Sequence, residues 1–292
     1  MAGRRRALGH RTWSDVVILA ILLIFAAIII LPFINAITIS FISQQEYIQN
    51  RLTMIPKAPT LSAYKNILDQ GWLGLGYQNS AVISGLGWIY LLTITVITAY
   101  AITRSFPGRR VFLVYLLIPM FFSGGLVPAY LQIRNLGLIN SYGAVLLPTG
   151  VSAYYILIMS SFFRSIHVSL EESARLDGAS EARILLSIIL PLSKAILATI
   201  SLFVIVGFWN EWFSPMLYLQ RAKMMPLQVY LRNIVDTSKA KLDRSVVAQA
   251  EQIYPEAVRM AAVMVTMLPI MAVYPFLQKY FVKGVMIGAV KG

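Results

Sequence analysis

The chain has 292 residues, of which 58 % are hydrophobic and only 13 % are charged. Soluble domains carry about twice that share of charge, so the composition excludes an ordinary soluble protein. Lys and Arg exceed Asp and Glu by 13, and because they lie between long apolar runs we expect them to face an anionic membrane surface rather than nucleic acid. The chain has no Cys and only two His, so we expect neither a disulfide nor a metal site.

Long runs without Asp, Glu, Lys or Arg set the organisation, because about 20 apolar helical residues cross the hydrocarbon core of a bilayer. The sequence predicts six membrane-spanning helices, at about 15–42, 77–103, 110–133, 140–163, 194–219 and 257–280. Six spans leave no room for a second globular domain. The prediction is therefore an all-α membrane protein with one transmembrane domain over 1–292, in which prolines inside the spans produce kinks and not breaks.

The first run follows a basic stretch, MAGRRRALGHR, as in a signal peptide. The apolar stretch is too long for a signal peptide and has no small-residue cleavage pattern, so we expect a retained first helix. More than half of all Lys and Arg residues fall on the side of the N-terminus, which predicts that both termini lie in the cytoplasm of a bacterial inner membrane.

Two polar segments are predicted on the outer side, 46–76 and 221–256. In the first, Thr60 or Ser62 can cap a short interfacial helix. Its predicted apolar face consists of Leu61, Tyr64, Ile67 and Leu68. In the second, the polar run Asp236 to Lys239 predicts a loop, and Ser245 to Ile253 a short helix.

The longest polar stretch on the cytoplasmic side is the loop 164–193. Ser169 followed by Glu172 has the spacing of a capping box, and Gly178 is a typical helix stop. Ser180 can then cap a second short helix that runs until Pro191. The sequence therefore predicts two short helices that meet at a glycine turn.

The first of these helices has a face suited to a partner protein. Leu170, Ala174 and Asp177 share one side, and the small residues Ser173, Ala174 and Gly178 would let another surface approach closely. Periodicity alone is equally consistent with an ordinary amphipathic connector.

The spacing within this loop is more specific. Glu172-Ser173-Ala174, three residues, Gly178, nine residues, Ile188, one residue and Leu190-Pro191 match six of seven fixed positions of a known motif. The segment resembles the EAA loop of permeases of binding-protein-dependent ABC importers. The resemblance implies a type I importer permease fold in which this loop is the coupling helix that docks on a cytoplasmic ATPase. The residues it assigns to coupling are Glu171, Glu172, Ser173, Ala174, Asp177, Gly178, Leu190 and Pro191.

Four further segments, QNSAVISGL, AYAITRSFPGRR, FWNEWFSPMLYL and YPFLQKYFVKGVMIGAVKG, resemble the carbohydrate-uptake branch, in particular the second permease of maltose-type and lipoprotein-associated oligosaccharide importers. Import of an acidic polymer such as an alginate oligosaccharide lies within that branch. The implied partners are a paralogous permease, two ATPase subunits, an extracytoplasmic solute-binding protein, an oligosaccharide and membrane lipid. The chain has no GxxxxGK[ST] motif. We therefore expect no enzymatic activity and no cofactor on this chain, with ATP and Mg in the ATPase subunits.

Glu211 is the one ionisable residue well inside a predicted span, where a charge needs a partner or a wet cavity. Its neighbours Trp209, Asn210 and Trp212 suit a sugar path, because aromatic rings cover apolar sugar faces and amides bond hydroxyls. The alternative is that Asn210 and Glu211 brace a kink near Pro215. Both interpretations stay open.

The C-terminal GVMIGAVKG is typical of a frayed tail. The resemblance implies instead that Gly288, Lys291 and Gly292 contact the ATPase subunits.

Other functions fit less well. A secondary, ion-coupled transporter or a channel subunit would be expected to have more membrane-embedded charge than Glu211. An intramembrane enzyme would need a converging acid and base.

Overall fold

The computed structural model describes residues 13–49, 55–69, 71–242 and 255–289, and within these ranges the regular structure is helical. The packing forms two compact units, residues 1–69 with 237–265, and residues 70–236 with 266–292. The prediction of one domain over 1–292 stays a prediction. The α-helices up to residue 135 are α1 Trp13–Ser40, α2 Gln44–Gln49, α3 Ser62–Asp69, α4 Trp72–Thr103, α5 Arg109–Phe121 and α6 Leu126–Asn135. Those that follow are α7 Tyr142–Leu146, α8 Ala153–Arg164, α9 Val168–Leu176, α10 Glu181–Ile184, α11 Leu190–Leu192, α12 Lys194–Asn210, α13 Phe213–Tyr218, α14 Leu227–Leu242 and α15 Pro255–Ala289.

In the first unit, α1 is a continuous apolar helix of 28 residues that includes Pro32. Its end is fixed to α3, since the hydroxyls of Ser40 and Tyr64 lie 2.8 Å apart. The side-chain oxygen of Thr60 accepts a hydrogen bond from the Ser62 amide at 3.2 Å, as predicted for a cap. The predicted apolar face of α3 is partly wrong. It buries Ala63 and Ile67, which are four residues apart and share one face, whereas Leu61 lies before the helix and Leu68 lies beside that face, and both are exposed.

The second unit is built around α4, which packs against α8 and α12. Small residues on α4 permit this close approach. A Cβ at Gly87 would lie 2.5 Å from the ring of Phe208 on α12, so only glycine fits there. The buried core between these helices includes Ile83, Leu91, Ala99, Ile156, Met159 and Ile200.

Among the described residues, three helical segments are long and apolar enough to cross a membrane, namely α1, α4 and the first part of α15, Pro255–Val273. Three bent helix pairs raise the number of spans to six if each pair crosses once. The pairs are Arg109–Phe121 with Leu126–Asn135 at 115°, Tyr142–Thr149 with Ala153–Arg164 at 52°, and Glu181–Leu192 with Lys194–Asn210 at 83°.

The expectation that prolines only kink the spans is wrong for four of the seven. Pro32, Pro269 and Pro275 lie inside continuous helices. The breaks next to the other four contain extended or glycine backbone, as at Gly125 with φ +88° and at Gly150. These four prolines are Pro119, Pro128, Pro148 and Pro215.

The polar segment after residue 220 differs from the prediction. The expected loop from Asp236 to Lys239 lies inside α14, where Arg232 and Asp236 form an i,i+4 ion pair of 2.9 Å. Leu227 and Val229 are fully buried and hold the start of this helix. The predicted helix Ser245 to Ile253 falls entirely outside the described residues.

Candidate functional site: the 164–193 loop and the break after α12

The first loop helix, α9, ends as predicted but begins differently. Its N-cap is His167, which makes no side-chain capping bond, and Ser169 lies inside the helix, so the predicted capping box is wrong. Gly178 has φ +80°, and the Ala179 amide donates to the Ala174 carbonyl at 2.9 Å. This six-to-one bond defines a Schellman stop, and it confirms the predicted role of Gly178.

The second loop helix begins where the sequence predicts. The side-chain oxygen of Ser180 accepts a hydrogen bond from the Arg183 amide at 3.3 Å. α10 continues through a π-helical turn, Leu185–Ile189, into α11, which ends just after Pro191. A proline ring clashes with the carbonyl four residues earlier in a regular α-helix, so the wider turn before Pro191 accommodates the ring.

Five side chains join the end of α4 to both loop helices, and we call them the Arg104 cluster. Its members are Tyr100, Arg104, Glu171, Arg175 and Glu181. Arg104 forms an ion pair with Glu171 and lies 3.3 Å from a Glu181 oxygen. Arg175 contacts the same two carboxylates, at 3.4 Å and 2.9 Å. The Tyr100 hydroxyl donates to Glu181 at 2.6 Å, and its ring lies 4.2 Å under the Arg104 guanidinium.

Two guanidinium groups thus neutralise two carboxylates in the Arg104 cluster. The hydrogen bond from Arg175, followed by that from Tyr100, holds the pKa of Glu181 below its usual value. The Glu171 side chain is only 11 % accessible. Of the residues that the resemblance assigns to docking, Glu171 therefore faces inward and attaches the loop to α4.

The opposite side of α9 is open. Leu176 is 90 % exposed. Glu172, Ser173, Asp177 and Gly178 are exposed beside it. A Cβ at Gly178 would meet nothing within 4 Å. Ala174 and Leu190 are half-buried, and Pro191 is exposed.

At the other end of α12 the helix breaks at Glu211, whose carboxylate accepts a hydrogen bond from the Ser214 amide at 2.9 Å. α12 has 17 residues, a length of about 25 Å, and Glu211 is the first residue after its far end. That the carboxylate lies within a membrane span stays a prediction. Its bond to the first turn of α13 agrees with a brace of the broken helix.

The neighbours of Glu211 separate into two groups. Trp209 is buried, and its indole nitrogen donates to the Thr266 carbonyl at 3.2 Å, so it belongs to the packing. Asn210 accepts a hydrogen bond from Gln228 at 3.2 Å, and the Trp212 ring lies 4.8 Å from the Arg232 guanidinium. The sequence did not connect α14 with this break.

The sequence also missed two asparagines at this end of the unit. The buried Asn79 amide donates to the carbonyls of Lys223 and Met225, at 2.8 and 2.9 Å, and accepts from the Tyr142 hydroxyl at 2.8 Å. Asn140 has φ 62° and accepts from the Gln220 amide at 2.6 Å. The available signal for Asn79 was an amide within an uncharged, apolar run.

Other predicted site residues remain untested. Gly288 lies near the end of α15, and Lys291 and Gly292 fall outside the described residues. Over the described ranges, His, Asp and Glu form no group of three that could hold a metal ion.

Comparison with known proteins gives the same type of molecule. The family model described as "Binding-protein-dependent transport system inner membrane component" matches residues 103–287. A polygalacturonan/rhamnogalacturonan transport system permease protein, YtcP of Bacillus subtilis (strain 168), is 36 % identical over 280 residues, 95 % of this chain and 98 % of that protein. Protein LplC of the same organism is 38 % identical over 267 residues, 91 % of this chain and 90 % of that protein.

Solved structures agree. A chain of a bacterial ABC transporter involved in the import of the acidic polysaccharide alginate has a TM-score of 0.82 and 32 % identity, over 92 % of this chain and 98 % of that one. A chain of the bacterial alginate transporter in complex with a pentasaccharide-bound periplasmic protein shares the fold, with a TM-score of 0.62 at 15 % identity over 92 % of this chain and 96 % of that one. The all-helical permease fold is thereby confirmed, and the chain belongs to the family of inner membrane components of binding-protein-dependent transport systems.

Proposed function

We propose that this chain is a membrane subunit of an ATP-driven importer that moves an oligosaccharide, delivered by an extracytoplasmic binding protein, into the cytoplasm by alternating access. Near full-length similarity to a polygalacturonan/rhamnogalacturonan permease and to an alginate importer supports this substrate class. Both of those polymers are acidic, and this chain carries a net charge of +13. The family consists of transport components, so ATP and Mg belong to partner ATPase subunits.

The observation that carries the proposal is the two-sided construction of α9. One side is fixed to α4 by the Glu171 contacts with Arg104 and Arg175, and the other side presents the exposed Leu176 and the glycine turn. A helix that is attached on one side and open on the other, where Leu176 lies among polar residues, is suited to receive force from a docked protein. In the proposed mechanism, closure of two ATPase subunits moves α9, and the Arg104 cluster passes this movement to α4 and hence to α12.

The same proposal fixes the remaining partners and the orientation. A paralogous permease completes the membrane path, and the loop with both termini lies in the cytoplasm. The chain contains no cysteine, so single cysteines report the orientation directly. Ser180→Cys should react only with reagents that reach the cytoplasmic face, and Lys223→Cys only from outside. The reverse pattern would refute the assignment of the loop to the ATPase side.

Substitution of Gly178 tests docking, because a side chain there meets no atom of this chain. Alanine is strained at positive φ by about 1 kcal/mol, whereas asparagine tolerates that backbone but is bulkier. We expect Gly178→Asn to reduce co-purification of the ATPase and substrate-stimulated ATP hydrolysis more than Gly178→Ala does. If Gly178→Ala is the more harmful change, the glycine serves only the fold, and the docking proposal fails.

A further inference from the structure

One stripe of α14 lies over the break between α12 and α13. Gln228, Arg232 and Asp236 follow one another at i,i+4 spacing and so share a face of that helix. Gln228 donates to Asn210 at 3.2 Å, and Arg232 lies 4.8 Å from the centre of the Trp212 ring. The two polypeptide segments thereby bring two amides, an indole and a guanidinium to one surface at the end of α12 opposite to the 164–193 loop.

The Arg232 guanidinium is held in place but keeps hydrogen-bond donors available for a ligand. Its Nε donates to Asp236 at 2.9 Å, and its two terminal nitrogens have no hydrogen-bond partner in the part of the chain that the structure describes. The Arg232 and Asp236 side chains are 46 % and 50 % accessible, so the pair is open to solvent. An arginine held by a carboxylate and an indole is restricted in its motion, and its terminal nitrogens form a fork that matches a carboxylate.

The neighbouring groups match the rest of an acidic sugar. Asn210 and Gln228 form one hydrogen bond with each other, which leaves the Asn210 side-chain nitrogen and the Gln228 side-chain oxygen to exchange bonds with sugar hydroxyls. The indole of Trp212 presents apolar surface of the kind that covers a sugar ring. Glu211 is engaged with the Ser214 amide, so its charge is partly compensated at the edge of the surface.

We propose that Asn210, Trp212, Gln228 and Arg232 form a subsite for a uronate unit of the incoming oligosaccharide. The sugar carboxylate accepts hydrogen bonds from the terminal nitrogens of Arg232. Asp236 holds the guanidinium in its place while the subsite is empty and competes with the sugar for it. The inference rests on the proposed importer function and adds to it the charge of the substrate and the residues that recognise this charge.

The test uses the importer assembled with its partner subunits in nanodiscs, without the binding protein, so that the selectivity of the binding protein does not enter. Binding of trigalacturonate and of a neutral galactose trisaccharide is measured by saturation-transfer NMR. We expect Arg232→Gln to weaken trigalacturonate about tenfold and the neutral sugar little. Asp236→Asn should tighten trigalacturonate two- to threefold. Arg221→Gln removes an exposed charge from the same side and should leave both affinities unchanged.

Each other result overturns the inference. If Arg232→Gln weakens both sugars equally, or neither, the stripe does not read the carboxylate. A separate pull-down with the solute-binding protein gives the other alternative. If Arg232→Gln reduces capture of that protein while the preference between the two sugars is unchanged, the stripe is a docking surface for the binding protein. If the importer assembles with its ATPase but binds trigalacturonate no better than the neutral sugar, the subsite is refuted while the proposed importer function is retained. Failure to assemble with an ATPase refutes the proposed function itself.

Discussion

The two ends of α4 are held in different ways. At the end next to the 164–193 loop, the contacts join charged side chains, with Arg104 and Arg175 each facing Glu171 and Glu181. At the other end, the neutral Asn79 bonds two backbone carbonyls and one hydroxyl. The loop end is therefore held by ion pairs between side chains, which salt weakens, whereas the Asn79 end is held by neutral bonds to backbone carbonyls.

Among substitutions at the two ends of α4, removal of Arg104 should cause the largest loss of stability. Arg104→Met leaves the nearly buried Glu171 with Arg175 alone, and we expect a loss of about 3 kcal/mol in the unfolding free energy of the complex. Thermal unfolding and substrate-stimulated ATP hydrolysis measure the two consequences.

The control for Arg104 is Arg110→Met, which removes an exposed charge near the same end of α4. The double change Arg104→Met with Glu171→Met should recover most of the stability, because no buried charge is left unpaired. If Arg104→Met behaves like the Arg110 variant, the loop is not held to α4 by this charge.

Asn79→Leu should destabilise by about 2 kcal/mol, because it leaves buried carbonyls without donors. Tyr142→Phe removes only one of the three bonds and should cost about 1 kcal/mol. The Asn79 loss should be the same at low and high salt, in contrast to that of Arg104, which salt screens. Denaturation at two ionic strengths checks this, and equal salt dependence at both sites would remove the distinction between the two ends.

Glu181 should make the loop end sensitive to acid. Its pKa is lowered from the ordinary 4.5 by Arg175 and Tyr100, so its stabilising contribution is present above that value and is lost as pH falls through the lower, folded-state pKa. The protection of loop amides against hydrogen exchange, relative to their intrinsic rate, should therefore fall below pH 4.5 in the parent protein. In Glu181→Gln this loss of protection should be smaller, and an unchanged acid response would show that another carboxylate is responsible.

Glu211→Gln should have the smallest effect. Glutamine keeps an oxygen that can accept from the Ser214 amide, so a brace predicts a loss of about 0.5 kcal/mol, whereas Glu211→Ala, which removes the cap, predicts about 1 kcal/mol. Neither variant should change the preference between neutral and acidic sugars. A stable Gln variant with altered sugar preference would restore the interpretation of Glu211 as a path residue.

Sequence predicted two features of the 164–193 loop that local chemistry decides. The Gly178 stop and the Ser180 cap depend on neighbouring backbone atoms alone, and both are present. Glu171 faces inward because it bonds Arg104, which lies 67 positions earlier, and Arg232 contacts Trp212, which lies 20 positions earlier. No periodicity specifies which distant cation a carboxylate meets.

The breaks next to prolines show the same limit. Pro32 and Pro119 are alike in sequence terms, since each interrupts an apolar run. Only Pro119 is followed within six residues by Gly124 and Gly125, and there the helix turns away. Proline removes one hydrogen bond, but the conformational freedom of the glycines decides whether the helix resumes in its former direction.

The length of α4 determines the level, relative to the lipid tails, at which an incoming substrate first contacts this helix. Its last turn is anchored, because the guanidinium groups of Arg109 and Arg164 both donate to the Ile102 carbonyl, at 2.9 and 3.2 Å, and charges of this kind stay at the level of the lipid headgroups. Counting back about 30 Å of hydrocarbon reaches only to about residue 84 of this 32-residue helix. By this count the first three turns, which carry the buried Asn79, lie beyond the hydrocarbon, where they pack against Leu227 and Tyr230. A sugar approaching from that side touches protein before it reaches the depth of the lipid tails.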